Sequence, residues 1–377
     1  MRKDVFKAAF IGGGLNSAVG TTHKIGCQMD GRFVLEAGAF SRHHEINAKT
    51  AEEWGVAQTR TYDDYHEMLH KEKGKIDVII VLTPTPFHKD AVIDALNAGY
   101  AVICEKALAT SVAEADEMQA AITKNKSFFC VMYNYTAYPI VRELKRKIER
   151  GDFGKIQQVQ IEMPQEGFMR LNAHGEKPQP QSWRLNDYRI PTISLDLGTH
   201  LHNMIYFLTG EHPLSVVADK DDFGFFKGIA DNVSCLAKYT NGLKAQIWYS
   251  KTALGNRNGL RVRIYGEKGS AEWVQIDPEN LTLCDSRGTI SKLDRTGDTC
   301  EANLPRYNRF KAGHPAGFIE AFGNYYMDVA DCLKQFQEKG FYESPFVCGI
   351  NESREGMAMF EAVIDSARTE AWVKVKQ

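Results

Sequence analysis

Residues 5 to 135 alternate between apolar runs and helix-length segments, and few folds accommodate that rhythm. The runs are "VFKAAFI", "FVLEAGAF", "IDVIIVLTP", "AVICEK" and "FFCVMYNY". Between them lie "NSAVGTTHKIGCQMD", "HHEINAKTAEEWG", "KDAVIDALNAG" and "VAEADEMQAAITKN". Strands that alternate with helices of this length build βαβ units. The third run is apolar on both of its faces, so helices must cover both sides of the sheet, which is then parallel. This part of the chain is expected to be an α/β Rossmann domain, a doubly wound parallel sheet.

The rhythm changes near residue 132. After one more helix, "YPIVRELKRKIERG", come strand-like segments separated by turns: "IQQVQIEM", "LSVVADK", "NVSCLAKY", "LKAQIWYS", "RVRIYG" and "AEWVQI". Asn241-Gly242 and Glu267-Lys268-Gly269 are hairpin signals. Neighbouring strands joined by tight turns make a mostly antiparallel sheet, so the second domain is expected to be α+β. The expected boundaries are 1–131 for the Rossmann domain and 132–377 for the second. The last helix, "REGMAMFEAVIDSARTEAW", is expected to return to the first domain. Two domains also suit a chain of 377 residues, which is long for one core.

Several function classes drop out on composition. With 46 basic and 48 acidic residues the chain lacks the positive excess that nucleic acid demands. No apolar run approaches the length of a membrane span, and "MRKDVFKAAFIGGG" has no signal-peptide core. The eight cysteines are scattered and form no CxxC, which points to a reduced, cytoplasmic protein without a cysteine metal site.

"GGGLNS" follows the first strand. Glycines at Gly12 and Gly14 let the backbone approach a pyrophosphate, and a helix opening at Leu15 and Asn16 would present N–H groups to it. Ser17 stands where the fingerprint has its third glycine, so the motif is a variant. The end of the second strand reads "GAFSRHH", with Ser41 and Arg42 and no acid. An acid there would bond the adenosine ribose and disfavour a phosphate. The cofactor is therefore NAD(P), with a lean to NADP.

In "ISLDLGTHLHNMIYFLTG" an otherwise apolar helix carries Asp196, His200, His202 and Asn203. On an α-helix residues 196, 200 and 203 share one face, and His202 points away. Asp196 also suits the first turn of a helix as a cap. Asp196 and His200 have chelating spacing, but no third ligand is evident and no metal is expected.

Together with "VLTPTPFHKD", "VICEKALAT" and "SLDLGTH", the glycine turn makes this chain resemble the glucose-fructose oxidoreductase/inositol dehydrogenase (Gfo/Idh/MocA) family over nearly its whole length. The resemblance implies a nicotinamide-dependent dehydrogenase or reductase acting on a hydroxyl or keto carbon of a sugar, sugar derivative or cyclic polyol. Glu105-Lys106 matches the family's Glu-Lys-Pro, with Ala107 in place of the proline. Thr83, Pro84 and His88 match the turn beside the cofactor. Asp196, Gly198 and His200 match the catalytic Asp-x-Gly-x-His, and Asn203 stands where many members have an aspartate. Further likeness in "MYNYTAYP", "SWR", "GNRNGLRVRIYGEKGSAEW" and "GHPAGFIEAF" suggests Asn134 for the cofactor and Tyr135, Trp183 and Arg184 for the substrate. The family's sheets often pack subunit to subunit, which implies a homodimer or homotetramer.

The expected catalytic set is Lys106, Asp196 and His200. An imidazole is a suitable base because its ordinary pKa lies near neutrality. Lys106 would steady the substrate oxygen, and Asp196 would orient the substrate. Three alternatives stay open: an NADPH-dependent keto-sugar reductase, a non-catalytic dinucleotide-binding redox sensor, and a member that eliminates or hydrolyses through transient oxidation.

Overall fold

In the computed structural model, which describes residues 4–311 and 313–376, the five apolar runs pair as parallel neighbours. By contacts the chain forms two units, Met1–Ala137 with Phe318–Arg354, and Tyr138–Gly317 with Glu355–Gln377.

The first unit contains β1 (Phe6–Gly12), α1 (Gly20–Gln28), β2 (Phe33–Ala39), α2 (His44–Trp54), α3 (Tyr65–Lys71), β3 (Val78–Leu82), α4 (His88–Asn97), β4 (Ala101–Glu105), α5 (Val112–Asn125) and β5 (Phe129–Met132). The strand order is β2-β1-β3-β4-β5, and every pairing is parallel. A parallel bridge between Gly38 and Thr61 marks the stub of one more strand beyond β2. β3 is buried along its whole length, as its unbroken apolar run requires. The winding direction reverses between β1 and β3, where Gly12 lies opposite Leu82. Doubly wound sheets bind ligands outside the carboxyl ends of their strands at such a reversal.

The second unit opens with α6 (Pro139–Glu149), β6 (Ile156–Pro164) and α7 (Thr199–Thr209). β7 (Pro213–Asp221), β8 (Asn232–Tyr239), β9 (Lys244–Ser250), β10 (Arg261–Gly266), β11 (Gly269–Val274), β12 (Asn280–Asp285) and β13 (Ile290–Asp294) follow. All their pairings are antiparallel except β6 with β9. β8 alternates strictly, with Val233, Cys235, Ala237 and Tyr239 buried and Ser234, Leu236 and Lys238 exposed. One face of the sheet is therefore packed and the other open. Asn241 at φ 52° and Gly242 at φ 82° turn β8 into β9, the left-handed backbone that an Asn-Gly pair allows.

α8 (Phe318–Lys339), α9 (Ile350–Thr369) and β14 (Val373–Lys374) complete the chain. β14 pairs with β7, which gives this sheet nine strands. α8 lies with the first unit. Its Tyr325 hydroxyl donates to the Val131 carbonyl of β5 at 2.6 Å, and Phe322 packs so close to α1 that a Cβ on Gly26 would sit 2.8 Å from it. The sequence reading placed 318–354 in the second domain. From Glu355 onward α9 belongs to the second unit, where Phe360 meets Tyr249 edge to face.

Candidate active site

The glycine turn is built so that side chains are excluded. Gly12 and Gly13 have φ of 80° and 78°, a region that disfavours any other residue. A Cβ on Gly12 would lie 2.8 Å from the Thr83 nitrogen. The turn is longer than the sequence reading supposed, because α1 opens only at Gly20. The close-packing glycine is also Gly20 rather than position 17: a Cβ there would stand 1.6 Å from the Gly13 carbonyl oxygen. The Gly14 and Leu15 amides do not wait at a helix end. They donate to the Phe40 carbonyl at 3.0 Å and the Thr50 hydroxyl at 3.2 Å, which pins the turn to β2 and α2. Asn16 is exposed. Ser41 is half-buried and Arg42 exposed just beyond β2.

Three functional groups stand just beyond or at the carboxyl ends of β3, β4 and β5. Thr83 Oγ1, Glu105 Oε2 and Asn134 Nδ2 are buried atoms with no hydrogen-bond partner in the protein. Leaving such an atom unsatisfied costs about 1–3 kcal/mol. A nicotinamide dinucleotide brings ribose hydroxyls, a carboxamide and a pyrophosphate. Its hydroxyl and amide groups complement a hydroxyl, a carboxylate and an amide donor, and its pyrophosphate needs a backbone clear of side chains. The residues present fit the group.

Around these atoms, His88 is 1% exposed and lies 2.7 Å from both the Thr83 and the Ala107 carbonyl oxygens. Its ring lies between the turn after β3 and the turn after β4, and a neutral imidazole donates its single N–H to one of the two carbonyls. Burial lowers its pKa below the ordinary imidazole value, with the two carbonyls and Glu105 opposing that shift. Lys106 is half-buried, and the Lys106–Ala107 peptide bond is cis. Tyr135 is buried in the same unit, with its ring 5.9 Å from that of Phe318.

In the second unit Ser194–Gly198 is a π-helix that runs into α7, where a regular α-helix was expected. Such π turns are frequent at functional sites. Asp196 is not the cap at this start. The helical run begins at Thr192, and Asp187 Oδ1 accepts its N–H at 3.3 Å while Oδ2 accepts from Ala230 at 2.9 Å. Burial raises the Asp187 pKa. Gly198 is small for a reason: a Cβ there would lie 2.7 Å from the Phe360 ring and 3.2 Å from that of Tyr249.

Asp196 Oδ2 instead receives two cations, Arg184 Nη1 at 2.6 Å and Lys251 Nζ at 2.5 Å. Arg184 stacks on the Trp183 ring at 4.5 Å, and Lys251 lies over the Phe168 ring at 5.0 Å. The structure therefore brings Trp183, Arg184 and Asp196 together. His200 and Asn203 are buried on α7. Lys251, missed by the sequence reading, follows β9 immediately and is 6% exposed. A lysine at the end of a strand ordinarily reads as solvated. The one signal was its position after the fully buried "YS" of "IWYSK". His202 packs beneath Gly356 with Nε2 3.7 Å from Glu355 Oε1. Among the described residues no three His, Cys, Asp or Glu side chains gather to hold a metal, and no helix is long and apolar enough to cross a membrane.

The first unit thus has the sheet order and glycine turn of a dinucleotide-binding domain, joined in one chain to an open, mostly antiparallel sheet. Residues 6–133 match the model of the oxidoreductase family with an NAD-binding Rossmann fold, and residues 141–272 match the GFO/IDH/MocA C-terminal domain. The chain is similar to the uncharacterized oxidoreductase YfiI of Bacillus subtilis (strain 168), at 29% identity over 98% of this chain and 96% of that one. Among solved structures it resembles an oxidoreductase from Sinorhizobium meliloti, at 30% identity and a TM-score of 0.85 over 98% of this chain and 99% of the other. It also resembles an inositol dehydrogenase homolog from Azotobacter vinelandii complexed with NADH and myo-inositol. There the identity is 26% and the TM-score 0.89, over 98% of each chain. The chain belongs to the Gfo/Idh/MocA family and is an NAD-binding oxidoreductase.

Proposed function

We propose that the protein moves hydride between a nicotinamide cofactor and the hydroxyl or keto carbon of a sugar, sugar derivative or cyclic polyol. The observation that carries this reading is the set of three buried, unsatisfied polar atoms on Thr83, Glu105 and Asn134, beside a turn cleared of side chains. When bound, the cofactor accepts or returns hydride at nicotinamide C4. Gly12, Gly14, Leu15, Asn16, Ser41, Arg42, Thr83, Pro84, His88, Glu105 and Lys106, within 1–131, and Asn134 just beyond it are the residues assigned to hold it. The 132–377 segment takes substrate contacts and subunit assembly.

His200 removes the hydroxyl proton in oxidation and returns it in reduction. Lys106 holds the substrate oxygen and stabilises its developing negative charge. Asp196, paired with Arg184 and Lys251, orients the substrate and supports the imidazolium. Trp183 offers a ring for a sugar face, and Tyr135, Arg184 and Asn203 offer hydroxyl contacts. Polyols are favoured because the Azotobacter vinelandii homolog carries myo-inositol.

Cofactor choice has two readings. The absence of an acid after β2, with exposed Arg42, supports NADP; the similar structure with NADH supports NAD. Exposed Leu236 and half-buried Trp248 line a depression of about 680 Å³ on the open sheet face, which supports a homodimer or homotetramer. All eight cysteines are thiols, which supports a reducing, cytoplasmic setting.

The test is a screen of cyclic polyols and sugars with NAD and NADP, read as nicotinamide absorbance. Turnover of at least one polyol or sugar is expected. Turnover confined to acyclic hydroxy acids would overturn the substrate class.

A further inference from the structure

Glu105 is held by a buried chain that the reaction itself does not use. His23 of α1 is fully buried, Tyr326 of α8 is 1% exposed and Glu105 is 5% exposed. The Tyr326 hydroxyl lies 2.7 Å from His23 Nδ1, and His23 Nε2 lies 3.3 Å from Glu105 Oε1. One arrangement gives both ring nitrogens a partner: Tyr326 O–H donates to Nδ1, and the Nε2 N–H donates to the carboxylate. The ring is packed between aromatic neighbours. It meets Phe322 edge to face at 4.9 Å and Tyr326 at 5.9 Å.

The far oxygen of the same carboxylate, Oε2, is buried and has no protein partner. A carboxylate anchored through one oxygen and open at the other is a directed acceptor. It lies at the carboxyl end of β4, one residue before Lys106.

We infer that Tyr326 and His23 are positioning residues that aim Glu105 Oε2 at a hydroxyl or amide donor of the nicotinamide nucleotide. The inference rests on the proposed cofactor reading. α8, which lies some 190 residues beyond β5, would thereby contribute to nucleotide affinity without touching the nucleotide.

The experiment is a fluorescence titration of NADH and NADPH into wild type, His23→Leu, His23→Gln and Tyr326→Phe, each checked by thermal unfolding. Losing a charge-assisted hydrogen bond weakens the better-bound nucleotide by roughly tenfold or more in His23→Leu. His23→Gln keeps an N–H donor and recovers most of that loss. Tyr326→Phe keeps the ring, removes only the hydroxyl that pairs with Nδ1, and gives a smaller loss. A structural role alone would lower thermal stability in all three variants without this order in affinity. If wild type binds nucleotide and His23→Leu binds it equally well, the inference is overturned and the cofactor reading stands. If wild type binds neither nucleotide, both fall. Should His23→Leu not fold, Tyr326→Phe and His23→Gln decide: Tyr326→Phe binding as wild type does overturns the proposal.

Discussion

The two units present their chemistry in opposite ways. In the first, polar groups stand at the ends of buried strands, and each is placed by local sequence: Gly12 ends β1, Thr83 follows β3, Glu105 ends β4. In the second, one carboxylate is fixed by partners from elsewhere in the chain. Arg184 lies 12 residues before Asp196, and Lys251 lies 55 after it. A strand end can be read from a pattern of apolar residues. An ion cluster assembled from a loop, a π-helix and a strand end cannot.

Catalytic substitutions break the comparison most sharply. His200→Ala should lower kcat by about 10²–10⁴-fold, the usual worth of a positioned base, and change nucleotide affinity less than twofold. Stopped-flow turnover beside a fluorescence titration checks this. Near-normal turnover would remove His200 from the role of base.

Lys251→Met asks whether the second unit's cluster supports the chemistry or only the fold. The Nζ group is nearly buried against Asp196, so truncating it is expected to destabilise the unit by about 3 kcal/mol. We expect kcat to fall by roughly tenfold and the acid limb of the pH–rate profile to shift, with nucleotide affinity unchanged. Lys251→Arg should restore part of both. A drop in thermal stability with an unmoved pH profile would make Lys251 purely structural.

The smallest effect concerns His88. Its pKa is lowered in the folded protein, so the unfolded chain takes up a proton that the native one refuses. Stability from this residue is complete above the unfolded value near 6.5 and declines as pH falls below it. His88→Gln should therefore flatten the loss of Tm between pH 7 and pH 5. An unchanged slope would mean that other groups carry the acid sensitivity.

Legibility followed the same division. The parallel sheet was readable because "VIIVL" admits only a strand buried on both faces. The antiparallel sheet showed itself through Asn241-Gly242 and the alternation of β8. Gly20 was missed because the turn between β1 and α1 runs longer than the fingerprint spacing. The π turn was invisible, since Ser194–Gly198 has the apolar pattern of an ordinary helix. α8 gave no sign that its face belongs to the first unit, because its partners on α1 lie some 300 residues earlier. Among the site residues, those on strand ends came from motif and position together, whereas Lys251, Thr50 and His23 act through partners that spacing does not reveal.

The central claim is that the first unit holds a nicotinamide dinucleotide on its glycine turn and on Thr83, Glu105 and Asn134. Titration of nucleotide-free protein with NADH and NADPH, followed by nicotinamide fluorescence, tests it most directly. Saturable binding of at least one of them is predicted, with Gly12→Val abolishing it. Absence of binding by both, or undiminished binding in Gly12→Val, would contradict the account.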